Sequence, residues 1–110
     1  MKYISPIQLN EIIESDTPTM IVNVLPHHAY MRHHIPNSTN YDVNDPKFIS
    51  NIEASCPAKE TAIILYGIDN TLMRPKMAVH RLEKLGYKNC LVLKGGLEEW
   101  ESEGYVTITN

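Results

Sequence analysis

Apolar residues in this chain are grouped in two ways, as short continuous runs and as blocks that recur every three to four positions. Ala62-Ile63-Ile64-Leu65-Tyr66 is the clearest run, and a short unbroken apolar stretch marks a strand buried on both faces. Residues 20–24 and 90–93 read the same way, while Lys2-Tyr3-Ile4 and residues 39–41 read as shorter strands. Between the first two, Ile7, Leu9, Ile12 and Ile13 share one face of a helix over residues 6–15. Ser5 suits its N-cap, and Pro6 suits the first helical position, where a missing N–H costs nothing. Met77, Val79, Leu82 and Leu85 give a second apolar face over residues 75–85, stopped by Gly86 in a left-handed conformation. Asp45 and Pro46 repeat the cap-and-proline signal ahead of a helix through Phe48, Ile49 and Ile52. A short helical turn over residues 27–31 follows Pro26, and residues 97–102 form a last helix. Strands alternating with helices at this spacing imply βα units and a mainly parallel sheet covered on both faces, an α/β fold.

Composition narrows the class without naming a function. At 110 residues the chain can build one hydrophobic core and is too short for two, so residues 1–110 are expected to form a single domain. A net charge of −3 supplies no basic face for a phosphate backbone, and no nucleic-acid partner is expected. No run approaches the 18 or so apolar residues of a membrane span, so no membrane partner is expected either. The first residues lack the basic, apolar and small-residue order of a secretory leader. Cys56 and Cys90 show no CxxC spacing and are too few for a disulfide framework. The expectation is a soluble, reduced, cytoplasmic protein.

Three segments carry a resemblance. After the run ending in Tyr66 come Gly67-Ile68-Asp69-Asn70-Thr71-Leu72-Met73-Arg74 and then a helix. After residues 90–93 comes Lys94-Gly95-Gly96-Leu97-Glu98-Glu99-Trp100. Upstream stand Asn23-Val24-Leu25 and His34-Ile35-Pro36-Asn37-Ser38-Thr39-Asn40. Their order and separation, with Leu85-Gly86-Tyr87-Lys88-Asn89 between helix and strand, resemble the rhodanese domain family over residues 3–106. The resemblance implies a rhodanese-like three-layer α/β/α fold around a central, mainly parallel five-stranded sheet. It also implies a site at the carboxyl ends of the strands, where open parallel sheets bind ligands.

At that site the resemblance identifies what is missing. Family members carry Asp-Val-Arg where this chain has Asn23-Val24-Leu25, and a sulfur-bearing Cys where it has Gly67. The catalytic site is therefore read as degenerate at Gly67, Asn23 and Leu25. Rhodanese chemistry needs a thiolate that holds sulfane sulfur as a persulfide, favoured by loop N–H groups and a helix N-terminus. Glycine contributes an N–H but carries no sulfur. Thr71 has a hydroxyl without a base, and nothing places Ser38 in a triad. Cys56 and Cys90 belong near the amino ends of their strands, roughly 17 Å from the loop at about 3.3 Å per residue. They are read as small core residues.

The loop of Gly67, Ile68, Asp69, Asn70, Thr71, Leu72, Met73 and Arg74 is the candidate ligand site, for an unidentified protein or a small anion. Helix N–H groups and Arg74 favour an anion, and the Asp69 carboxylate opposes one. The spacing from Gly67 to Arg74 is longer than in single-domain members that carry an Arg there. Ile68, Leu72 and Met73 make the loop apolar; they either fold onto the core or form a contact patch.

Three readings stay open. The first is a non-catalytic rhodanese-like binding or regulatory module that takes no cofactor. The second is an enzyme of the sulfurtransferase or related phosphatase type, working through a rearranged site. The third is a metal-binding protein using His27, His28, His33 and His34. Against the third, adjacent histidines point apart, the 28-to-33 spacing does not stack on one helical face, and His34 matches the family's His-Ile-Pro. His80 reads as a surface residue, and no metal ligand is assigned.

Overall fold

In a computed structural model that describes residues 1–109, strands and helices alternate along the whole chain. The order is β1 (Lys2–Ile4), α1 (Pro6–Ser15), β2 (Met20–Asn23), α2 (His27–Arg32), β3 (Ser38–Asn40), α3 (Phe48–Ser55), β4 (Ile63–Tyr66), α4 (Met73–Lys84), β5 (Cys90–Leu93) and α5 (Gly96–Ser102). The five strands form one sheet in the order β1-β5-β4-β2-β3, every pairing parallel.

Strand β4 shows why the sheet must be covered on both sides. All four of its residues are buried, and successive side chains point to opposite faces. Ile63 and Leu65 join Phe48, Ile52, Val79 and Leu82 in one core layer, beneath α3 and α4. Ile64 and Tyr66 join Leu9, Leu97 and Trp100 in the other, beneath α1 and α5. The parallel sheet covered on both faces, read from the alternation, is observed, as is the five-stranded three-layer arrangement that the resemblance implies.

Local chemistry sets most boundaries. Ser5 and Gln8 form a reciprocal capping box at the start of α1, with Pro6 in the first turn. Gly86, at φ 92°, takes the left-handed conformation expected of it after α4.

Two helix starts differ from expectation. Asp45 does not cap α3, which begins at Phe48 with Lys47 in the cap position. Its carboxylate instead accepts the Lys47 N–H at 2.8 Å, and its carbonyl accepts the Phe48 N–H at 2.9 Å. That Asx-type turn competes with helix for the same donors and delays it. Helix α4 begins at Met73, ahead of Pro75, which a first turn tolerates because that turn's N–H groups have no helical partner. Strand β3 lies one residue earlier than expected, at Ser38–Asn40.

The connection from β4 to α4 rests on α5. The Leu97 N–H donates to the Gly67 carbonyl at 3.0 Å, and the Glu98 N–H to the Ile68 carbonyl at 2.8 Å. This stacking requires glycine at position 96. A Cβ there would lie 2.7 Å from the Gly67 carbonyl oxygen and 2.8 Å from Asp69 backbone atoms, at a φ of +60°.

Two substitutions test these dependencies by urea unfolding. Leu65→Ala removes a side chain with no exposed surface and should cost about 3 kcal/mol through the cavity it leaves. Gly96→Ala should cost roughly 2–5 kcal/mol, because it combines left-handed strain with a backbone clash. A Gly96→Ala protein as stable as the parent would show that the loop does not depend on this approach.

Candidate functional site

The strand order reverses beside β2: the chain runs from β2 outward to β3, then returns to lay β4 on the other side of β2. In open parallel sheets the crevice at such a switch, beyond the carboxyl ends of the strands, is where ligands bind. Here those ends are Asn23-Val24-Leu25 after β2 and Tyr66-Gly67 after β4, joined where the Val24 N–H donates to the Tyr66 carbonyl at 3.1 Å. A cleft of about 220 Å³ opens there, with Leu25, Gly67 and Pro75 in its walls together with Ile68, Thr71, Met73 and Arg74 from the loop. Thus Leu25, Gly67 and four further members of the predicted loop come together.

Asn23 sits behind the cleft with no exposed surface. Its Oδ1 accepts the Leu25 N–H at 2.9 Å, an Asx turn that ends the strand. Asn40 then clamps the turn, its Nδ2 donating to the Leu25 carbonyl at 2.8 Å and the Asn23 carbonyl at 3.2 Å. Among the described residues the Asn23 Nδ2 makes no hydrogen bond of good geometry, although the Asn23 side chain acts on the Tyr66 hydroxyl and opposes the effect of burial there. A neutral amide suits this depth, because a buried carboxylate needs a cation and position 25 offers a leucine.

Tyr66, in the same layer, accepts the Ile35 N–H at 3.1 Å and bonds to Ser38 Oγ at 2.9 Å. Burial pushes its phenol pKa up. The Ser38 hydroxyl donates to the Ile35 carbonyl at 2.7 Å, so it is spent on holding the His-Ile-Pro loop.

The loop compensates its charges internally. Arg74 Nη1 donates to the Val24 carbonyl at 3.3 Å and to Asp42 Oδ1 at 3.2 Å, with the two side chains 33% and 30% exposed. Arg74 is thereby tied to the end of β2. The sequence reading missed Asp42 because nothing local links residues 42 and 74. Asp69 Oδ1 accepts the Thr71 N–H at 2.8 Å, and that bond holds its carboxyl below the usual carboxylate range. The apolar loop residues divide: Leu72 packs against the core, whereas Ile68 is 43% and Met73 71% exposed.

Gly67 is buried, yet space for a side chain exists. A Cβ built on it would meet only Pro75, at 3.6 and 3.7 Å, which is ordinary contact, and Gly67 is not among the glycines with positive φ. Both thiols lie at the other end of the sheet. Cys90 pairs in register with Ile63, the first residue of β4, and Cys56 sits beside Pro18, Thr19 and Thr61. Each is buried and free. Burial, reinforced by the negative charge of Glu83 and the nearby Cys56, pushes the Cys90 thiol up to about 11.

The histidines disperse. His27 Nδ1 meets Asn40 Oδ1 at 3.2 Å, and His33 Nδ1 meets Glu101 Oε2 at 2.9 Å. His34 bonds to the Tyr30 carbonyl at 3.0 Å, stacks on the Tyr30 ring and pairs through its backbone with Ile108. It orders its loop as expected, and His80 is exposed on α4. Among the described residues, no three His, Cys, Asp or Glu side chains converge as a metal site. No helix among them is long and apolar enough to cross a membrane.

Comparison with known proteins places this geometry in a family. The rhodanese-like domain family model matches residues 5–103. An adenylyltransferase and sulfurtransferase, uba4, from Ogataea parapolymorpha is 28% identical over 93 residues, 84% of this chain and 23% of that protein. The chain thus spans about a quarter of that relative's length. An uncharacterized protein of Buchnera aphidicola subsp. Baizongia pistaciae is 27% identical over 108 residues, covering 97% of this chain and 72% of its own. Among solved structures, a thiosulfate sulfurtransferase from Pseudomonas aeruginosa superposes with a TM-score of 0.89 at 21% identity, over 100% of this chain and 20% of that one. The BH2092 protein from Bacillus halodurans gives 0.85 at 22% identity, over 98% and 77%. With a family match over nearly its whole length, the same parallel sheet and the Gly67 loop seated at the switch point, the chain belongs to the rhodanese-like domain family.

Proposed function

We propose that this chain is a non-catalytic rhodanese-like domain, a binding or regulatory module whose persulfide-forming position is occupied by Gly67. The observation that carries this reading is the placement of sulfur in the molecule. Gly67 lines the cleft at the switch point, while Cys56 and Cys90 are buried near the amino ends of the strands. Sulfur transfer requires a thiolate that attacks a sulfane sulfur and is then relieved of it by an acceptor; burial shields both thiols from donor and acceptor, and it also pushes the Cys90 thiol up to about 11. Leu25 and Asn23 extend the argument, since positions 23 and 25 at the end of β2 carry no ionisable side chain. The module would bind through the 67–74 loop and Leu25, in a reduced cytoplasmic setting that keeps both cysteines free.

The rival reading, a sulfurtransferase with a rearranged site, draws on the word in the Ogataea relative's name, and one assay separates the two. Purified protein supplied with thiosulfate and cyanide should form no thiocyanate above the buffer rate, and a Cys56→Ser/Cys90→Ser variant should behave identically. Turnover by the parent that vanishes in the double variant would falsify the non-catalytic reading. Gly67→Cys should fold, since its Cβ has room. It should transfer sulfur at least about 10²-fold more slowly than an active rhodanese, because Asp69 and the engaged Arg74 leave a nascent thiolate unsupported.

The thiols make a separate prediction about pH. The folded protein holds the Cys90 proton up to about pH 11, whereas an ordinary thiol releases it near 9. Between these values the unfolded chain binds fewer protons, so stability falls as pH rises. The Cys90 contribution is therefore complete below pH 9 and lost progressively between 9 and 11. Cys90→Ala should flatten that part of a urea-midpoint-against-pH curve; an unchanged slope would place the alkaline sensitivity elsewhere.

A further inference from the structure

We infer that the exposed face of α4 is a docking surface for an acidic segment of a partner polypeptide. This goes beyond the binding-module reading: the face lies outside the cleft and does not depend on whether the cleft transfers sulfur. Five of the chain's ten Lys and Arg residues fall between positions 74 and 88, with Glu83 the one acid among them, although the net charge is −3. Two of the five are tied down by the protein itself. Arg74 is held by Asp42 and the Val24 carbonyl, and Arg81 Nη1 donates to the Val43 carbonyl at 2.6 Å. Lys76, Lys84 and Lys88 are exposed and make no ion pair among the described residues.

Helix geometry aligns these cations. Positions 76, 80 and 84 recur every four residues, opposite the face that buries Ala78, Val79 and Leu82, so Lys76, His80 and Lys84 form one row. At about 1.5 Å per residue the row is roughly 12 Å long, and Lys88 lies beyond the helix end. Glu83 stands to one side of the row and pairs with none of its members. Acids concentrate across the sheet, with Glu98, Glu99 and Glu101 exposed on α5 and Glu11 and Glu14 on α1. The sheet holds them further away than the screening length of about 10 Å at 0.1 M salt, so the counter-charge is left for a partner to supply. Two observations favour a polypeptide over a phosphate backbone. Outside residues 74–88 the chain is more acidic than its net charge, which repels an extended polyanion. The row is headed by Met73, 71% exposed, whose thioether an amino-acid side chain can cover and a phosphate cannot. A second copy could offer its α5 acids only head to tail, a mode that builds rings or open filaments rather than a simple pair.

Amide NMR on the full-length chain at low ionic strength tests the inference with defined probes. The peptide acetyl-Glu-Glu-Leu-Glu-Glu-Leu-Glu-Glu-amide should shift Lys76, His80 and Lys84 saturably, with a dissociation constant on the order of 0.1–1 mM. Its glutamine counterpart should bind at least about tenfold more weakly, and raising salt from about 20 to about 150 mM should weaken the acidic peptide about fivefold. Lys76→Gln/Lys84→Gln should weaken it about five- to tenfold. Its fold should be kept, since both positions are exposed and glutamine suits a helix. Lys2→Gln/Lys94→Gln removes the same charge from exposed positions elsewhere and should change affinity by less than about twofold.

Silence from the acidic peptide overturns the inference, as does equal binding of the glutamine peptide or an equal loss in the Lys2→Gln/Lys94→Gln protein. Tighter binding by a short oligothymidylate makes a nucleic-acid backbone the occupant, and tighter binding by phosphatidylserine vesicles makes it a membrane surface. Row amides that shift with protein concentration alone make it a second copy. Each of these three overturns the polypeptide source. None of these outcomes touches the non-catalytic reading, which stands or falls on thiocyanate formation.

Discussion

Two amide-to-carbonyl hydrogen bonds, from Leu97 and Glu98 of α5 to Gly67 and Ile68, govern the shape of the loop at the sheet's switch point. Both are main-chain interactions, so they hold the loop regardless of which side chain stands at position 67. They draw the two loop carbonyls onto the start of α5, whose first N–H groups have no partner within the helix. Gly96 is the condition for that approach, because only a residue without a Cβ lets the two backbones come this close. The scaffold thus keeps its form whichever side chain stands at position 67.

With the shape held by backbone, side chains are free to set the polarity of the cleft, and they do so consistently. Asn23 is neutral where full burial would penalise a carboxylate, and Leu25 beside it is apolar. Arg74 finds its counter-charge in Asp42, and Asp69 finds its donor in the Thr71 N–H. Each charge near the cleft is answered within a few ångströms by the protein itself. The neutral Asn23 amide, whose Nδ2 has no hydrogen bond of good geometry among the described residues, acts on the Tyr66 hydroxyl. It is tolerated beside a Tyr66–Ser38–Ile35 network that satisfies its own members.

Features that depend on neighbours along the chain were legible in the sequence. The strand around Ile64 and Leu65 declared itself by continuous apolarity, α1 by Ser5 and Pro6, and the end of α4 by Gly86. The start of α3 was misplaced because Asp45 can serve a helix cap or an Asx turn with the same carboxylate, and local sequence does not decide between them. The start of α4 was misplaced because a proline is equally at home anywhere in the first turn. For the same local reason Gly67 could be identified as lacking a side chain, although the room around it could not be seen.

Strand and helix identity, the order of the βα units and the glycine at the loop's entry follow from the amino-acid sequence, since each is written in residues close together. Tertiary structure alone decided that Arg74 answers Asp42, that His33 meets Glu101, and that Gly96 must be bare beneath Gly67. The Arg74–Asp42 and His33–Glu101 pairings join residues 32 and 68 positions apart, and such distances exist only once the sheet has assembled.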